Sequence, residues 1–236
     1  MDHRADLKGD LSQPLKLKSA VSAWQIMDRH QGKKKECGGL MSINGIWPPY
    51  EAFYIESMHW HTASAQRSIK VVSDWLELLK NDDERALELP RPVLFEQLQN
   101  ILHQAGCISR YLFPGGRAPK SLHVARSARL RRAFAVADNN PLAERDLRNA
   151  IEHFDERLDE YLTKHHVGEF LPEDVGYVQR RSEIPLHIFK GFYTHPLIFV
   201  LLGQSYEMAP IINEMLRVHA ALKACMANGH RLPRCG

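Results

Sequence analysis

Arg148, Asn149 and His153 are the side chains of this sequence whose types and spacing best suit chemistry on a phosphate. An imidazole, with an ordinary pKa of about 6.5, can take or give a proton near neutrality. A guanidinium carries a permanent charge on a planar fork of donors that matches phosphate oxygens, and an amide beside them can orient either group. On a helix each residue turns by about 100°, so Asn149 and His153 stand one above the other at i and i+4, with Arg148 beside them. The same stretch also suits a plain surface ladder, because Glu144, Arg148 and Glu152 recur at four-residue steps. Spacing alone does not choose between the two.

The elements that would position these residues are helical. From Pro49 to Lys80, Tyr54, Met58, His61, Ala65, Ile69, Val72, Leu76 and Leu79 recur at three- and four-residue steps, which predicts a long helix with one buried face. A polar break at Asn81–Arg85 and prolines at 90 and 92 lead to a second run: Leu94, Leu98, Ile101, Leu102, Ala105, Ile108 and Leu112. A third helix is expected from Ser121, as its N-cap, to about Ala137. A fourth follows Pro141, with Leu147, Ile151, Phe154, Leu158, Tyr161 and Leu162 as its apolar stripe. Beyond Gly168, residues 184–188 alternate and Leu197–Leu202 is a short apolar run, which together predict a β-hairpin. A last amphipathic helix is expected from about Glu207 to Met226.

The expected fold is therefore mainly α: a four-helix up-down bundle with a small C-terminal β-hairpin and helix packed on it. A hairpin is marginal by itself, so residues 168–236 are expected as an appendage on the same core as the bundle at 41–167. Residues 1–40 hold Lys33, Lys34, Lys35 and a Gly38-Gly39 pair, with one short apolar stretch. They are expected to be a flexible N-terminal extension, with Met41 as an alternative start.

Composition narrows the class. Hydrophobic content of 44% and charged content of 25% are those of an ordinary globular chain. No apolar run approaches the eighteen or so residues of a membrane helix, and Met1–Asp6 lacks the apolar core of a secretory signal, so a cytoplasmic protein without a membrane association is expected. The four cysteines, Cys37, Cys107, Cys225 and Cys235, form no Cys-x-x-Cys pair and read as incidental thiols. His59-Trp60-His61 and His165-His166 have no carboxylate or cysteine at ligand spacing, so no metal and no cofactor are expected. No phosphate-cradling Gly-Lys-Ser/Thr loop and no Gly-x-Ser-x-Gly elbow occur.

An arginine, a polar residue, three more positions and a histidine, late in a helical bundle, resemble the Arg-x4-6-His motif of the HEPN superfamily. The match runs from Arg148 to His153 with Asn149 in the polar second position, and residues 147–159 resemble an uncharacterised bacterial HEPN-like group. The helical pattern extends the resemblance over roughly residues 50–165. It implies a homodimer about the motif helix and, in active members, metal-independent cleavage of RNA, with toxin or defence roles and a neutralising protein partner. Carried onto this chain, His153 would transfer the proton, Arg148 would hold the scissile phosphate and Asn149 would assist. Inactive members imply the alternative, a binding or assembly module.

Charge divides the two. Between Asp146 and Tyr161 six acids face two arginines, a local balance of −4 that repels polyanions. From Gly115 to Ala137, by contrast, there is no acid, and Arg126, Arg129 and Arg132 recur at three-residue steps as a candidate track for an RNA backbone. The bland reading of that stretch is a basic face that pairs with the acidic fourth helix. A helical DNA-binding regulator using the same arginines is a third reading, without a helix-turn-helix spacing to support it.

Overall fold

A computed structural model describes residues 45–115, 120–144, 154–180 and 182–233, all within the compact unit Met41–Gly236. The order of elements is α1 (Glu51–Lys80), α2 (Arg91–Leu112), α3 (Ser121–Ala133), α4 (Phe154–Lys164), β1 (Glu169–Gly176), β2 (Leu186–Tyr193), β3 (Ile198–Leu201), β4 (Gln204–Glu207) and α5 (Met208–Ala227). The described chain is thus mainly helical with a small sheet and a C-terminal helix.

Helix α1 begins behind the short 3-10 turn Pro48–Tyr50, whose prolines preset the entry. It ends where Asp82 takes a left-handed φ of 52°. Its buried face runs through Ile55, Met58, Thr62, Ala65, Ile69, Val72 and Trp75. The expected face is rotated slightly from this: Met58, Ala65, Ile69 and Val72 are buried, whereas Leu79 is 37% exposed. In α2 all seven expected apolar positions are buried.

The polar contacts between helices set their directions. Ser57 meets Tyr111, His61 meets Gln104, Asn100 donates to Ser64 and Ser68, and Ser68 donates to Gln97. Numbers rise along α1 as they fall along α2, so the two are antiparallel, as the linker at 81–90 requires. Thr62 meets His219 of α5, and beyond the end of α5 His230 meets Glu56 and Leu232 meets Glu51. Helix α5 is therefore a second antiparallel neighbour of α1.

The centre of the fold is α1 with α2 and α5 against it, and α3 lies on α2. The expected bundle had residues 141–165 as its fourth helix. Of that stretch, Pro141–Ala143 is a 3-10 turn capped by Asn140, residues 145–153 lie outside the described residues, and no residue of α4 is buried. Phe154 packs against the core from α4, and the apolar α5 adds a stripe of its own, with Met208, Ile211, Met215, Val218 and Leu222. Helix α3 is shorter than expected: Lys120 occupies the N-cap position, and the helix stops at Ala133 before Ala135, whose φ is 50°.

The expected hairpin is present as β2 and β3, but it belongs to a four-stranded sheet in the order β1-β2-β3-β4. Strand β1 pairs parallel with β2, and the other two pairings are antiparallel. Leu202 and Gly203 turn β3 into β4 with φ values of 48° and 74°, the positive φ at both central residues that a tight type I′ hairpin needs. One face of the sheet joins the helical core: the Phe192 ring lies 6.0 Å from Trp75 of α1 and the Phe199 ring 6.3 Å from Phe95 of α2. Tyr161 of α4 packs against His187 and Phe189 of β2.

A titratable group is buried between α1 and α5. His219 is 6% exposed, contacts Thr62 Oγ1 at 3.0 Å through Nδ1 and stacks on His59 at 5.1 Å. Burial, and then the charges of His59 and Lys223, hold its pKa below the ordinary histidine value. The unfolded chain therefore binds a proton below about pH 6.5 that the folded chain resists, and stability falls as pH drops through that value. Urea midpoints at pH 7.5 and 5.5 should differ more for the wild type than for His219→Gln. Equal pH slopes in the two proteins would remove His219 as the source.

Candidate functional site

Arg148, Asn149 and His153 lie outside the described residues. Arg126, Arg129 and Arg132 of α3 are described, and they do not share one face. Arg126 donates from Nη2 to the Arg110 carbonyl at 2.9 Å, with its guanidinium 5.6 Å from the Tyr111 ring centroid. Arg129 is 12% exposed, donates to Pro233 O at 3.0 Å and pairs with Glu51 at 3.3 Å. Arg132 is exposed to solvent. A three-residue step falls about 60° short of a full helical turn, so two such steps carry a stripe roughly 120° around the axis. Among the described residues, Arg129 pairs with Glu51 of α1 and Arg131 with Asp138.

Three of the histidines singled out by type, His59, His61 and His165, are engaged in packing, and His166 is exposed. His61 Nδ1 meets Gln104 Oε1 at 2.7 Å, and His165 lies against Tyr161 and His187. Among the described residues no group of three His, Cys, Asp or Glu side chains is placed to hold a metal ion. None of the described helices is long and apolar enough to cross a membrane. Cys107 and Cys225 are free thiols, each with its pKa pushed up by burial.

Two features were not foreseen. On the sheet face away from the helices, Asp174 of β1 is 1% exposed. Tyr193 OH donates to its Oδ2 at 3.0 Å, and Arg180 Nη2 lies 2.9 Å from its Oδ1. Gly191 makes the first contact possible, since a Cβ there would stand 3.0 Å from the tyrosine oxygen. Burial and then the Asp174 hydrogen bond push the Tyr193 phenol well above its ordinary pKa. The cluster reads as an anchor that ties β1 to β2 in the sheet.

The second feature is a cavity of about 840 Å³ where the end of α1, the start of α2 and the ends of β1 and β2 meet. Trp75, Leu79, Leu89, Leu94 and Val175 give it an apolar wall, and Tyr177 and Thr194 add hydroxyls. Trp75 is locked in the floor by donating from Nε1 to the Ala86 carbonyl at 3.0 Å. Among the described residues the charged side chains of the lining are Lys80 and Arg91, and no carboxylate is with them. A concave, mostly apolar space with a few polar groups, in the range of roughly 300–1,000 Å³, is the usual form of a small-molecule site.

No family model, curated protein or solved structure matches this chain. Its own geometry carries the functional reading. Sequence periodicity missed the cavity because its wall comes from three separated stretches, 75–94, 175–177 and 194. The local signal was a lysine in the last turn of one helix and an arginine at the first position of the next, whose first turn carries no acid.

Proposed function

We propose that the chain is a HEPN-like helical protein, of the four-helix up-down kind that its motif implies, acting as a non-catalytic binding module. The observation that carries this reading is the apolar cavity between α1, α2 and the sheet. The inward engagement of Arg126 and Arg129 supports it too, because a guanidinium spent on a carbonyl or a buried carboxylate is not offered to an RNA backbone. The test is saturable binding of an uncharged apolar fluorophore, N-phenyl-1-naphthylamine. One site per chain is expected in the wild type and at least tenfold weaker binding in Leu79→Arg. Leu79 is 37% exposed, so the arginine charges the cavity wall without entering the core. An absence of saturable binding by the wild type sinks the reading.

The spacing of Arg148, Asn149 and His153 favours a second reading, a cytoplasmic, metal-independent endoribonuclease working as a homodimer and restrained by a neutralising protein partner. Its test is separate: wild type and His153→Ala with mixed single-stranded and structured RNA in EDTA. Intact RNA with both proteins accords with the binding module. Products ending in 2′,3′-cyclic phosphate, made by the wild type and not by the mutant, would establish the nuclease instead.

A further inference from the structure

We infer that the cavity takes an amphipathic carboxylate: an unbranched apolar body lying against Trp75, Leu79 and Leu94, with its anionic head at the rim between Lys80 and Arg91. This rests on the binding-module reading and adds the ligand's chemical class. Lys80 is the last residue of α1 and Arg91 the first of α2. Because the two helices run antiparallel and are joined by a short linker, both cations emerge at the same end of the pair. Among the described residues neither is ion-paired within the protein. The linker between them is acidic, but its carboxylates are not in the lining. Asp83 is held by Arg85 through contacts of 2.6 to 3.1 Å, which keeps its pKa at about 2 and pairs its charge within the linker. The result is a pocket with a positive rim and a neutral apolar interior.

An anion of this shape gains twice. Each methylene removed from water contributes about 0.8 kcal/mol, which converts to roughly a fourfold gain in affinity per carbon. At the rim, guanidinium presents a planar fork that matches both oxygens of a carboxylate, and the lysine adds a mobile point charge. A cation of the same length would meet two like charges, and an alcohol would leave both cations without an anionic partner.

The test is displacement of bound N-phenyl-1-naphthylamine from the full chain by decanoate, decanol, decylamine and decyl phosphate, with octanoate and dodecanoate as a length series. Decanoate is expected to displace the probe at least tenfold more tightly than decanol, with decylamine weakest. Affinity should rise about fourfold per carbon along the carboxylates until the cavity is full. In Lys80→Met/Arg91→Met, which changes two exposed side chains, decanoate should fall to the level of decanol while the uncharged probe binds as before. If the probe binds but decanol and decanoate compete equally, or neither competes, the inferred ligand is wrong and the cavity reading survives. If decyl phosphate outcompetes decanoate tenfold, the carboxylate head is wrong. If the probe itself fails to bind, the binding-module reading falls first.

Discussion

Glu51→Ala should destabilise the protein by about 3–5 kcal/mol, the range seen when one partner of a buried ion pair is removed and the other stays inside. Glu51 opens α1 and is 6% exposed. Its Oε1 faces Arg129 Nη2 at 3.3 Å, and its Oε2 accepts from the Leu232 amide at 3.1 Å with Arg231 Nη1 at 3.8 Å. One carboxylate therefore joins the start of α1, the middle of α3 and the segment after α5. A negative charge also suits the positive end of a helix. Alanine leaves the Arg129 guanidinium at 12% exposure without that counter-charge, and leaves the Leu232 amide without its acceptor. Glu51→Gln, which keeps an acceptor and loses the charge, should fall between. In the Glu51→Ala background, Arg129→Met should recover part of the loss, because the buried charge goes with it. Arg132→Ala, on the exposed side of the same helix, should stay within about 0.5 kcal/mol. Urea unfolding of the set decides the matter. If Glu51→Ala behaves like a surface substitution, Arg129 is not held, and a role for it on RNA regains force.

The elements legible in the sequence were those in which periodicity and burial agree. Helix α2 has an apolar residue at every expected inward position and buries all of them. The bounds expected for α5, Glu207 to Met226, differ by one residue at each end from Met208–Ala227. Helix α1 is harder to read because Thr62 and Ser68 lie on its buried face, where polar residues are held by His219 and Gln97. Strand β1 was hidden by composition: Pro172, Glu173 and Asp174 interrupt the apolar alternation, and Asp174 tolerates burial through Tyr193 and Arg180, which lie 19 and 6 positions further along the chain. For the site the limit is of another kind. Residue types single out groups that could do chemistry, as with Arg126 and Arg129, but not where their hydrogen bonds go. The cavity needs the sheet edge brought against the α1–α2 junction, a juxtaposition that no local pattern encodes.

Phe199→Ala should lower stability by about 3–5 kcal/mol, and the way it does so tests whether sheet and helices unfold together. Phe199 is fully buried in β3, pairs across the sheet with Phe192 on one side and Tyr206 on the other, and lies 6.3 Å from the Phe95 ring of α2. Phe192 in turn contacts Trp75 of α1, so the aromatic contacts run from the sheet into both long helices. Removing the ring deletes apolar area from one continuous core and leaves a cavity between the sheet and the helices. Helical circular dichroism at 222 nm and tryptophan fluorescence, which includes the Trp75 signal, should therefore give coincident urea transitions in the wild type. Both should move together in Phe199→Ala. A fluorescence transition that shifts while the helical signal stays in place would mean that the sheet melts off a bundle stable without it. The cavity walled by Val175, Tyr177 and Thr194 would then open in that intermediate, and probe binding would be lost before the helices unfold.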